Sequence, residues 1–71
     1  MEVLIFKTNI RYKKHINEIE PHITNLPGLL KWNVDLKDVD KILRIETTHV
    51  HPAKIEMLVK NAGYNCEELK D

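Results

Sequence analysis

The residues able to do chemistry gather first in the stretch FKTNIRYKKHI, residues 6–16. It sets Tyr12 and His15 three positions apart and surrounds them with Arg11, Lys13 and Lys14. An imidazole joined by carboxylates is a donor set for borderline metals such as Zn(II) or Ni(II). Asp38 and Asp40 supply carboxylates from a turn further along the chain. His15, Tyr12, Asp38 and Asp40 therefore form one candidate set for a Zn, Ni or Cu ion. The competing reading of His15 is a solvent-exposed histidine at a helix start.

Arg11, Lys13 and Lys14 are the densest single-sign cluster in a neutral chain. A helix N-terminus already attracts anions through its free N–H groups and its dipole. Three cations there fit an acidic protein surface or a small anion, against the plain reading of a solvated charge run. His22, His49 and His51 make a second candidate set, since three histidines suit zinc; THVHP reads equally well as a helix entry. Cys66 reads as a small buried hydrophobe in a strand. Asp35, Asp38 and Asp40 lack the glycine and terminal glutamate of an EF-hand loop, and read as turn formers.

Whole classes of function are missing. There is no glycine-rich phosphate loop, no Cys-His or Ser-His pair with a supporting acid, and no paired catalytic carboxylates. The expectation is a protein that is not an enzyme. Acidic and basic residues balance at 11 each, so nothing draws the chain toward nucleic acid. RNA recognition on a sheet needs exposed aromatics on its central strands, and Phe6 alone does not supply them. The apolar opening MEVLIF is too short for membrane insertion. A single cysteine fits a reducing, cytoplasmic setting.

The 71 residues allow one domain, 1–71, and an apolar share of 42% suits a folded core. Val3 to Phe6 read as a strand. Ile16, Ile19, Ile23 and Leu26 lie on one stripe at helical spacing, with Pro21 expected to kink or split the helix after Glu20. Pro27-Gly28 ends it. Leu30, Trp32, Val34 and Leu36 alternate with polar residues as a half-buried strand, and residues 37–40 form a turn. Residues 41–46 return as a second strand, with Leu43 and Ile45 inward. Pro52 opens a second helix, capped by His51 or Thr48, with Val50 stapled onto Ile55. Ile55, Leu58, Val59 and Ala62 form its apolar stripe, and Gly63 stops it. Residues 64–69 supply a last strand. Trp32, Met57 and Tyr64 read as core or core-edge.

The order β-α-β-β-α-β with right-handed crossovers gives an α+β, ferredoxin-like two-layer sandwich: a four-stranded antiparallel sheet with two helices on one face. Residues 8–14, 37–40 and 62–65 then gather at one end, and 27–29 with 47–51 at the other. The first strand is apolar on both faces, Val3 and Ile5 on one and Leu4 and Phe6 on the other, and Ile42 faces away from Leu43 and Ile45, which points to an apolar patch on the open sheet face and a homodimer through it.

The segments LPGLLKWNVDL and LVKNAGYNCEEL resemble the heavy-metal-associated domain of copper chaperones and metal-transporting ATPases, over nearly the whole chain. The family's motif is M-x-C-x-x-C in the first loop. Counting back from Leu26-Pro27-Gly28 sets Ile10 at the methionine and Tyr12 and His15 at the two cysteines. The resemblance implies the ferredoxin-like fold and a metallochaperone-like surface. With no cysteine in this loop, it implies an adaptor that docks a protein partner after losing the thiolate site.

Overall fold

The computed structural model describes residues 1–70 as β1 (Glu2–Thr8), α1 (Lys13–Ile23), β2 (Leu29–Asp35), β3 (Ile42–Thr47), α2 (Pro52–Asn61) and β4 (Cys66–Glu68). The strands form one antiparallel sheet in the order β2-β3-β1-β4. This is the expected βαββαβ sandwich. The core lies between sheet and helices: Leu4 and Phe6 from β1, Leu43 and Ile45 from β3, Ile19 and Ile23 from α1, Ile55 and Val59 from α2, and Cys66 from β4. Ile16, Leu26, Trp32, Val34 and Tyr64 pack around its margin. No helix of the described residues is long and apolar enough to cross a membrane.

Several local expectations hold for the anticipated physical reasons. The Nδ1 atom of His51 accepts the N–H of Ala53 at 3.1 Å and caps α2, while Val50 before it and Ile55 are both buried. Gly28 and Gly63 have φ of +90° and +98°, a backbone region that glycine enters without a Cβ clash. At the end of α2 the Gly63 N–H donates to Lys60 C=O at 2.9 Å and the Tyr64 N–H to Val59 C=O at 3.2 Å. That pair of bonds is a Schellman closure.

Other expectations are corrected. Pro21 does not split α1, which runs unbroken to Ile23. The proline sits in the last turn and deprives only the carbonyl of Asn17, an exposed residue that water can reach. Thr24 then closes the helix, its N–H and Oγ1 both donating to Glu20 C=O at 2.8 and 2.7 Å. Leu30 is not inward: the β2–β3 register shifts between Leu29 and Lys31, so Leu30 is squeezed out to 55% exposure. The returning strand begins at Ile42 rather than 41, because Lys41 takes φ +48° to finish the turn. Met57 is exposed, since it lies off the α2 stripe that carries Ile55 and Val59.

The open sheet face carries Val3, Ile5 and Ile42, but not as a continuous patch. Register sets Val3 beside Glu46, Ile5 beside Arg44, and Ile42 beside Asp35. Lys31 stands opposite Glu46, and Lys7 opposite Glu67. Alternating charges therefore break up the apolar surface.

Candidate functional site

Three connections meet at one end of the domain, and Thr8 ties two of them together. Its N–H donates to Asp40 C=O at 3.1 Å and its Oγ1 to Lys41 C=O at 2.5 Å. The same Oγ1 accepts the Ile10 N–H at 3.2 Å. Asn9 adds the third connection by accepting the Asn65 N–H on Oδ1 at 2.8 Å. Ile10, fully buried, plugs the first loop into the core. The loop is thus held from below and from both sides.

Above this anchor stands an aromatic stack. Tyr12 is the N-cap of α1 in extended conformation, and no side-chain bond caps the helix there. Its ring meets His15 edge-on, with centroids 5.1 Å apart. The His15 ring in turn tilts against Tyr64, also at 5.1 Å. The Schellman turn at Gly63 is what swings Tyr64 over α1. There the Tyr64 hydroxyl donates to Glu18 Oε2, one turn beyond His15. That bond raises the Tyr64 pKa from 10.0 to about 12, with burial and the Glu18 charge acting in the same direction.

The Nδ1 atom of His15 is already engaged: it accepts the Arg11 N–H at 3.2 Å. A neutral imidazole accepting at Nδ1 carries its proton on Nε2. Both ring nitrogens are then unavailable to a metal unless the loop bond breaks. Asp38 and Asp40 do not turn toward His15 either. Asp38 Oδ1 accepts the Asp40 N–H at 2.8 Å, and Asp40 Oδ1 lies 3.7 Å from Lys7 Nζ. Of the four residues in the metal set, the structure joins Tyr12 with His15 and keeps the two aspartates in the hairpin turn. His49 approaches Glu2 at 4.0 Å and His51 caps α2. Among the described residues, no group of three His, Cys, Asp or Glu side chains is placed to hold a metal.

Cys66 supplies no thiolate to this end. It is buried in the core, paired in register with Thr8. Burial first, and then the charge of Glu56, push its pKa from 9.0 up to about 12, against the opposite pull of Lys60. Such a thiol stays protonated and unreactive at neutral pH.

The polar surface around the stack is cationic. Arg11, Lys13 and Lys14 are exposed, and none has a carboxylate within ion-pair distance among the described residues. The first turn of α1 contains no acid. A cleft of about 470 Å³ runs between the first loop and the hairpin, lined by Thr8, Asn9, Arg11, Tyr12, Val39 and Lys41. Val39 is 90% exposed and Tyr12 59% exposed at its rim. Reading the sequence finds the cations and the Tyr12–His15 spacing. It misses Thr8 and Glu18, and treats Tyr64 as core margin only. The signal for Tyr64 is Gly63, because a left-handed glycine closing a helix fixes where the next side chain goes.

No protein-family model and no curated protein matches the chain. Solved structures do. The yeast copper transporter domain Ccc2a, in apo and Cu(I)-loaded states, superposes with a TM-score of 0.85 at 20% identity, covering 100% of this chain and 99% of that one. The fold is that of the heavy-metal-associated domain. The HMA domain of a copper chaperone for superoxide dismutase superposes with a TM-score of 0.78 at 15% identity, over 96% of this chain and 66% of that one. A chain of the Atx1–Cu(I)–Ccc2a complex gives a TM-score of 0.81 at 20% identity, over 100% of this chain and 99% of that one. These heavy-metal-associated neighbours are copper-handling proteins by name, and one is held in a protein–protein complex. The residues present here do not fit Cu(I), which selects soft thiolates: the first loop offers a phenol and an imidazole already bonded at Nδ1.

Proposed function

We propose that this domain is a non-catalytic docking module on the heavy-metal-associated fold, which binds an acidic surface of a protein partner through its first loop. One observation carries the reading. Arg11, Lys13 and Lys14 stand exposed, with no ion-pair partner among the described residues, at a positive helix end that carries no side-chain cap. Within the chain this arrangement is unfavourable, because cations next to a helix N-terminus oppose the dipole. A carboxylate-rich partner reverses the sign of that interaction. Tyr12 and Val39 at the rim add the apolar contact that interfaces place beside arginine. Steering by like-signed charges raises the on-rate and makes binding fall with salt.

The test compares the native chain with Lys13→Glu/Lys14→Glu in affinity capture from cell extract, with the captured protein identified by mass spectrometry. The expected result is one partner, lost in the double variant and at high salt. Capture that survives both changes places the interface elsewhere. The metal alternative is separated by following amide NMR shifts during titration with Zn(II), Ni(II) and Cu(I) under reducing conditions. Saturable shifts confined to residues 9–16, 37–40 and 62–66 at micromolar metal would replace the docking reading with a metal site containing His15.

A further inference from the structure

β2 forms one edge of the sheet, and two bonds fix which of its residues face outward. In an antiparallel ladder each residue sends its N–H and C=O to the same side, and successive residues alternate. The Leu69 N–H donates to Ile5 C=O at 2.8 Å, so Ile5 points at β4, while Leu4 and Phe6 point at β3. Their register partners Ile45 and Leu43 point back, which leaves Ile42, Arg44 and Glu46 directed at β2. The Thr48 N–H, donating to Gly28 C=O at 2.9 Å, gives the same parity from the other end. Lys31, Asn33 and Asp35 therefore bond to β3. Trp32 and Val34 hold their N–H and C=O groups out to the open edge.

This edge is complementary to itself. Set a second copy antiparallel about Asn33, and Trp32 faces Val34 of the second copy in a hydrogen-bonded pair, twice by symmetry. Lys31 falls opposite Asp35 of the second copy, also twice, on the outer face. Those charge pairs and the Asn33–Asn33 pair occupy the non-bonded positions, where opposing side chains approach most closely. Neighbouring registers lose the match: centring on Val34 sets Lys31 against Lys37, and centring on Trp32 sets Lys31 against Asn33. Trp32 and Val34, half-buried at the margin of the core, gain cover from each other.

The geometry points to the β2 edge as a homodimer interface, in which two copies pair antiparallel about Asn33 and their four-stranded sheets become one. The occupant is a second copy of this chain, selected by the Lys31–Asp35 charge match. The edge replaces the open sheet face as the self-association surface, and it leaves the basic first loop free. Hydrogen bonds confined to one short strand make this a weak dimer.

The test uses sedimentation equilibrium on the full chain, with circular dichroism confirming that each variant folds. The native chain is expected to dimerise at high micromolar to millimolar concentration, with concentration-dependent amide shifts centred on Trp32 and Val34. Asp35→Lys gives a wholly basic edge and Lys31→Asp a wholly acidic one. Each alone is expected to self-associate at least ~10-fold more weakly, and an equimolar mixture to recover association. A native chain that stays monomeric at millimolar concentration overturns the proposal. So does dimerisation unchanged in both single variants, or a mixture no stronger than its components.

Discussion

His15 Nδ1 accepts the backbone N–H of Arg11 at 3.2 Å, so the imidazole at the start of α1 turns back into its own first loop. His15 is the third residue of α1, and its ring takes the N–H of Arg11, which precedes the N-cap Tyr12, so it ties the first loop to the helix without capping the helix end. The ring is expected as the Nε2–H tautomer at neutral pH, read from long-range nitrogen–proton NMR correlations. His15→Ala loses this acceptor and both ring contacts, and should destabilise the domain by about 1 kcal/mol. An Nδ1–H tautomer with unchanged stability in the variant would show that the bond does not order the loop.

The Tyr64–Glu18 bond links the α2–β4 connection to α1, and its signature is a phenol pKa raised to about 12. The raised value means that folding favours the protonated phenol. Its contribution to stability is complete below the unfolded value of 10.0 and is lost as pH climbs through 10 toward about 12. In a Tyr12→Phe background Tyr64 is the single phenol, so ultraviolet titration follows it alone. Glu18→Gln removes the charged acceptor and should bring the midpoint down toward 10. A midpoint unmoved by Glu18→Gln rejects the link.

The sequence makes the scaffold legible wherever one local signal decides the outcome. Alternation around Trp32 and Val34, the Ile19–Ile23 stripe, Pro52 after His51, and Gly63 each have one physical solution, and the structure adopts it. Legibility fails where two signals compete over distance. Pro21 argues for a break, yet the packing of Ile19 and Ile23 holds the helix until a carbonyl exposed to water is all that is lost. Leu30 belongs to an apolar pattern, yet pairing with β3 squeezes it out. Asp38 and Asp40 share an end with His15, but the turn claims the Asp38 oxygen and Lys7 of β1 the Asp40 oxygen first. The site was legible as a set of residue types; its wiring depends on contacts such as Tyr64 to Glu18, 46 positions apart.

Two threonines in the sheet allow a matched test of what anchors the loop end. Thr8 is buried, and its hydroxyl joins Lys41 C=O to the Ile10 N–H. Thr47 is fully buried, and its Oγ1 has no partner among the described residues. Valine has the same shape and a better strand propensity at both positions. Thr8→Val leaves a buried N–H and a carbonyl with one bond fewer, and should cost about 2 kcal/mol. Thr47→Val relieves an unsatisfied hydroxyl, and should stabilise by up to about 1 kcal/mol. Chemical denaturation measures both, and opposite signs are the expected result. Loss of stability in both variants would mean that the Thr47 hydroxyl finds a partner in solution. A neutral Thr8→Val would mean that the loop is held by Ile10 packing and the Asn9–Asn65 bond rather than by Thr8.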